Sequence, residues 1–210
     1  MNKIQARHIS SFNQERLSIF IDDQPLCDYL SATTNNPDLE DLWCAWLLAD
    51  SQRTWDYIWS LIESKQNCNL PILLCPDDMD FCCTVVVAQV CHDNDTVVWE
   101  RIGIVTGKFD TQQWIESGIK NISKWSEEDW KLYGGSLAWL DTYDKAWEEW
   151  QIANWPDEEK RRLWNYIHPY FNNDANIQWL NCEKLSFLAK EYDDCVAAFR
   201  QDSIDSKQSG

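Results

Sequence analysis

Residues 70–93, LPILLCPDDMDFCCTVVVAQVCHD, hold the side chains of this 210-residue chain best suited to chemistry. Cys75, Cys82, Cys83, Cys91 and His92 are of the types that ligate zinc. The carboxylates Asp77, Asp78 and Asp80 are of the type that binds hard cations. Structural zinc sites draw ligand pairs from tight C-x2-4-C knuckles. The spacing here is Cys75-x6-Cys82-Cys83-x7-Cys91-His92, which contains no knuckle. Adjacent Cys82 and Cys83 on a strand point to opposite faces and do not readily chelate one ion together. Free cysteine otherwise packs as a small hydrophobe, so these positions read as core rather than as a metal site. Three carboxylates in one turn can reach Mg²⁺ or Ca²⁺. The EF-hand order, with glycine at its sixth position and glutamate at its twelfth, is absent, and a solvated acidic turn is the simpler reading.

Nucleophilic catalysis finds less support. The three histidines, His8, His92 and His168, lie in no nucleophile motif such as G-x-S-x-G. There is no P-loop and no G-x-G-x-x-G, and six glycines in the whole chain leave little for phosphate-cradling loops. The expectation is therefore no catalytic residue, no cofactor and no metal ligand.

The formal net charge is −17 and the pI is near 4.4. A field of that sign repels phosphate backbones and attracts cationic surfaces, which excludes direct nucleic-acid binding as an expectation and favours a basic protein partner. The opening MNKIQARHISSFNQERLSIF has no apolar signal core, and no run approaches the roughly 20 apolar residues that span a bilayer. A cytoplasmic protein with no membrane contact is expected. Its nine cysteines are then reduced thiols rather than a disulfide framework. The fourteen tryptophans belong in the core or half-buried, where the indole N–H finds a partner.

The elements that position the opening stretch follow from periodicity. RLSIFID (16–22) reads as a strand broken by the turn residues DDQPL, and Cys27 to Leu30 as a short helical turn. DLEDLWCAWLLAD (38–50) places Leu39, Leu42, Trp43, Trp46 and Leu47 on one helical face behind Asp38 as N-cap. TWDYIWSLIES (54–64) repeats that pattern. PILLC (71–75), CCTVVVAQVC (82–91) and TVVWERIGIV (96–105) then read as three strands of an antiparallel meander, joined by the turns PDDMD and HDND. Strand 16–22 is a candidate for the same sheet. Helical periodicity returns near residue 112. WSEEDW (125–130) starts a helix with Ser126 as cap, and NWPDEEKRRLWNYIHP stops before Pro169. Leu185, Leu188, Tyr192, Cys195 and Phe199 recur at intervals of three and four, as on an amphipathic helix. The expected fold is α+β, an antiparallel meander with flanking helices and a mostly helical C-terminal part. A core domain is expected over 1–133, a helical extension packed on it over 134–200, and a disordered tail over 201–210.

LPILLCPDDMDFCCTVVVAQV, VVWERIG and WIESGIKNISKWSEEDW together resemble immunity proteins of bacterial polymorphic-toxin and contact-dependent growth-inhibition systems. The likeness covers roughly residues 16 to 133 and rests on four features. These are an apolar strand ending in a Cys-Pro-acidic turn, a β-branched strand, a W-x-R-I-G strand and a W-S-x-E/D helix start. The helical part after residue 134 lies outside it. Such proteins neutralise a cognate toxin domain by tight binding, and many such toxins are cationic nucleases. The resemblance implies no enzyme activity and a toxin domain with a basic surface as partner. The candidate contact residues are the turn Asp77, Asp78 and Asp80 and the helix start Glu127, Glu128 and Asp129. Two readings from other classes stay open: a hydrolase holding a metal on Asp77, Asp78 and Asp80, and a tryptophan-lined sugar-binding module.

Overall fold

A computed structural model describes residues 1–11, 14–47, 52–77, 79, 81, 83–107 and 167–209. By proximity the chain divides into two units, Met1–Thr106 with Asp174–Gly210, and Gly107–Asn173.

The first unit is α+β, with antiparallel sheets of three and six strands. Strand β1 (Ile4–Ser11) pairs along its length with β2 (Gln14–Ile21), and β2 pairs with the short β3 (Gln24–Pro25). Asp22 and Asp23 connect β2 to β3 with φ of 48° and 71°, the left-handed conformations that a two-residue hairpin turn requires. Asp22 also ties down the N-terminus. Its carboxylate accepts the Asn2 side-chain amide and the Lys3 backbone N–H, each at 2.7 Å. The strand expected at 16–22 is therefore present, but it pairs with the N-terminal strand in a sheet of its own rather than joining the meander.

Helix α1 (Leu26–Thr34) ends where Asn35 turns left-handed at φ 53°. Asn36 accepts the Asp38 N–H at 3.2 Å and opens a 3-10 turn, Pro37–Leu39, with proline in its first turn. The helix expected over 38–50 does not form in the described part of that stretch. The chain instead extends into β4 (Trp43–Cys44), pairing Trp43 with Leu74 and Cys44 with Leu73. Leu39, Leu42 and Trp46 are buried all the same. The apolar density was real, but main-chain and indole partners decided the conformation. The Ala45 N–H bonds to the Ile72 carbonyl at 3.0 Å, and the Trp46 indole N–H to the Pro71 carbonyl at 3.2 Å.

Helix α2 (Gln52–Ser64) covers the stretch read as helical, and the meander is present as β5 (Cys68–Leu74), β6 (Val85–His92) and β7 (Thr96–Val105). Pro71 cannot donate to a ladder, and it sits in the interior of the sheet because the β5–β6 register slips between Pro71 and Leu73. A second slip lies in β7. From Ala88↔Ile102 to Val90↔Trp99, β6 advances two residues and β7 three. The bulge sets Val97, Trp99 and Ile102 all in the core, which strict alternation along β7 does not allow.

The free edge of β7 is completed from the far end of the chain. Strand β8 (Ile177–Trp179), entered through the 3-10 turn Asp174–Asn176, pairs with Gly103–Val105. Strand β9 (Leu185–Leu188) pairs with Thr96–Trp99. Helix α3 (Ala189–Ser209) then packs against β1, β2, β7 and β9. The division of the chain thus differs from the boundary expected at residue 133, because an edge strand of the meander demands pairing that a sequential reading does not foresee. Leu185 and Leu188 are strand residues, not part of the amphipathic helix; the helix keeps Tyr192, Cys195 and Phe199 buried. The stretch expected as a disordered tail continues α3 to Ser209, with Ser203 buried and its hydroxyl donating to the Arg200 carbonyl at 2.7 Å.

Trp46, Trp99, Phe187, Tyr192 and Phe199 form the aromatic centre of this unit. Trp46 meets Phe199 edge-on at 5.6 Å and Tyr192 at 5.8 Å, and Trp99 meets Phe187 at 5.2 Å. Cys44 and Cys195 are buried beside them, whereas the cysteines of the 70–93 stretch that read as core are not: Cys75 and Cys91 are half-buried and Cys83 is exposed, because the strand begins only at Val85. Burial pushes the Cys195 thiol up to about 12.

Of the second unit, Gly107 and residues 167–173 are described. Residues 167–171 are helical and run through Pro169, where a stop was expected. The Asn172 N–H still reaches the His168 carbonyl at 3.1 Å, so the turn survives the missing proline donor. The Tyr170 hydroxyl donates to the Gly107 carbonyl. The helix start at 125–130 lies outside the described residues.

Candidate partner-binding surface

The acidic turn hangs from the last pair of the β5–β6 ladder, Leu74↔Val85. Beyond it the Cys75 N–H bonds to the Thr84 carbonyl at 3.0 Å, and the Cys75 carbonyl accepts the Met79 N–H at 3.0 Å. Met79 adopts φ 47°, which reverses the chain within the turn. The side chains of Met79 and Phe81 go inward, and the Phe81 ring meets Tyr57 of α2 edge-on at 5.7 Å. Asp77 is exposed. Apolar anchors thus hold the turn to the body while this carboxylate faces water. Asp78, Asp80 and Cys82 lie outside the described residues, as do Glu127, Glu128 and Asp129. Strand β6 begins at Val85 rather than at residue 82, so Cys83 belongs to the connection and is exposed.

Register brings further carboxylates to the same end of the sheet. Trp43 pairs with Leu74, so the segment leading into β4, with Asp38 and Asp41, enters beside the acidic turn. Both are exposed. Sequence reasoning read Asp38 as a helix cap and did not connect it with Asp77. The signal was Asn36-Pro37, which opens a short turn and releases the chain to extend. The opposite end of the sheet carries exposed Asp93 and Asp95 in the tight β6–β7 connection, where the Asp93 N–H bonds to the Thr96 carbonyl at 2.9 Å. His92 stands next to that turn, edge-on to Tyr192 at 6.0 Å. Burial and then Lys65 lower the pKa of His92, while Asp193 opposes them.

Most positive side chains among the described residues are paired within the chain, at the surface. Lys3 and Arg7 lie on Asp23, Lys65 on Asp193 at 3.0 Å, Arg101 on Asp174 at 3.0 Å, Lys190 on Asp194 at 2.5 Å and Arg200 on Glu63 at 2.9 Å. Four arginines also lie over aromatic rings. Arg101 covers Trp179 at 3.9 Å, Arg16 covers Trp43 at 4.5 Å, Arg7 covers Phe20 at 5.1 Å, and Arg200 covers both Trp55 and Trp59. By contrast, Asp38, Asp77, Asp93, Asp95 and Glu100 are exposed and have no ion-pair partner among the described residues. Residues 1–106 and 174–210 hold 23 carboxylates against 10 Lys and Arg, so −13 of the net −17 belongs to this unit.

Among the described residues no three His, Cys, Asp or Glu side chains gather closely enough to hold a metal ion together. No helix among them is long and apolar enough to cross a membrane. No protein-family model matches the chain, and no curated protein or solved structure matches it.

Proposed function

We propose that this protein is a cytoplasmic inhibitor, an immunity protein that binds and neutralises a cationic toxin domain, with the carboxylate-rich sheet ends as contact surface. The observation that carries this reading is the layout of charge. Among the described residues, most arginines and lysines are paired with neighbouring surface carboxylates or lie over aromatic rings, whereas exposed Asp38, Asp77, Asp93 and Asp95 at the two sheet ends have no ion-pair partner. Such a surface accelerates encounter with a basic cleft and occupies positions meant for phosphates. The favoured contact residues are Asp77, Asp78 and Asp80 of the turn, together with Asp38 and Asp41, which enter beside Asp77. Glu127, Glu128 and Asp129 form a second set, whose alternative role is stabilising their own helix start.

The test is capture of the partner from the native host, followed by assay of the captured domain. A basic domain whose toxicity is abolished at a one-to-one ratio supports the reading. A captured partner that keeps full activity when saturated, or that carries an acidic surface, overturns it.

A further inference from the structure

Cys75 and Cys83 stand on either side of the acidic turn, and Cys75 organises it with every polar atom it has. Its N–H bonds to the Thr84 carbonyl at 3.0 Å, its carbonyl accepts the Met79 N–H at 3.0 Å, and its sulfur accepts the Asp77 N–H. Cys83 directly precedes the Thr84 whose carbonyl takes the Cys75 N–H, so the two thiols are neighbours across the base of the turn, and Cys83 is among the groups that act on the Cys75 thiol. The two chains that carry these thiols are already fixed one step earlier by the pair Leu74↔Val85. The inward Met79 and Phe81 hold the intervening segment against the body. Both flanks of the turn are thus held by backbone pairing, with the two cysteines on adjoining chain segments.

The other described thiols lack this arrangement. Cys27, Cys44, Cys68 and Cys195 are buried, Cys91 and Cys182 are half-buried, and Cys83 is the exposed one. Reagents in solution therefore meet Cys83 first.

We propose that Cys75 and Cys83 form a reversible dithiol–disulfide pair that closes the acidic turn when a low-molecular-weight disulfide such as oxidised glutathione is the oxidant. The exchange balances in two steps. The Cys83 thiol gives up its proton, and its sulfur attacks one sulfur of the small disulfide. A mixed disulfide forms and one small thiolate leaves. The Cys75 thiol, deprotonated in turn, attacks the Cys83 sulfur, forms the Cys75–Cys83 bond and expels the second small thiolate. The protein is oxidised by two electrons, the small disulfide is reduced to two thiols, and both protons end on them. Burial pushes the Cys75 thiol up, so Cys75 is the slower, resolving partner and Cys83 the point of entry. Closure fixes the backbone that presents Asp77. The bond forms in the isolated chain, whatever partner the acidic surface meets.

The chain offers a direct test, because Met1 and Met79 are its only methionines and Met79 lies between the two thiols. The full-length protein is equilibrated in glutathione buffers from reducing to oxidising ratios. It is then cleaved at methionine and run without reductant. The expected result is that the two large fragments separate after the reducing buffer and stay joined after the oxidising one. Before cleavage, the oxidised chain should be lighter than the reduced chain by two hydrogen atoms. Cys83→Ser should separate under both conditions. Cys75→Ser should stop at the mixed disulfide, gaining one glutathionyl group, and Cys82→Ser should behave as wild type. Hydrogen exchange at residues 76–82 should slow on oxidation. Fragments that separate after every buffer, or a bridge mapped to Cys82, would overturn the proposal. So would fragments that stay joined in Cys83→Ser.

Discussion

Single side chains carry consequences that sharp substitutions expose. A Cβ at Gly103 would stand 2.5 Å from Ile177 Cγ2 and 2.9 Å from Trp179 Cε3, because β8 crosses there at close range. Gly103→Ala should therefore destabilise the fold by about 1–3 kcal/mol, read as a lower denaturation midpoint at constant slope. His92 gives a pH signature. Its folded pKa lies below the ordinary 6.5, chiefly through burial, so as acid is added the unfolded chain takes up the proton first. Stability from this site is complete above pH 6.5 and is lost as pH falls through the folded value. His168 shifts in the same direction through burial. His92→Gln should flatten the fall in unfolding free energy between roughly pH 7 and 5, measured by denaturant titrations across that range. An unchanged slope would show that other groups dominate. At this scale the sequence was readable where chemistry is local. The Asp22-Asp23 turn and the buried Trp46 and Cys195 were legible, whereas Cys75, Cys83 and Cys91, which read as core, are half-buried or exposed. The partners were not legible, since the Trp46 indole bonds to a carbonyl 25 residues away.

The elements show where periodicity suffices and where it fails. Strand β7 and helix α2 were legible nearly to the residue, because each is a sustained pattern of one period. Residues 38–47 were not, since clustered Leu and Trp satisfy a helical face and a buried extended segment equally, and the choice rests on β5. Residues 185–199 mix two periods, four residues of strand and then a helix, which a spacing of three and four joins into one. Two truncations separate these readings. Phe199 is fully buried against Trp46, so Phe199→Ala should cost about 3–5 kcal/mol. Leu188 is 45% exposed at the end of β9, and Leu188→Ala should stay within about 0.5 kcal/mol. Equal, large losses in thermal or chemical denaturation would restore the continuous amphipathic helix. The exposed pairs Lys65–Asp193 and Lys190–Asp194 should matter little to stability, and less still in high salt.

For the whole molecule, the decisive property is a strongly negative net charge, and it bears on encounter more than on folding. The net charge was legible from composition alone. That Asp38 and Asp41 share a sheet end with Asp77 was not, because strand register joins them across more than 30 residues of chain. Electrostatic steering acts on association, while packed contacts govern dissociation. The most direct measurement is the association rate of the captured toxin domain, followed against ionic strength, for the wild type and for the variant carrying Asp77→Asn, Asp78→Asn and Asp80→Asn. The expected result is a wild-type rate that falls steeply as salt screens charges beyond about 8 Å. The folded variant should associate more slowly and with a shallower salt dependence, and its dissociation should change less. A variant that matches the wild type in rate and salt dependence would contradict the turn as contact site. A wild-type association rate indifferent to salt would contradict electrostatic capture of a cationic partner altogether.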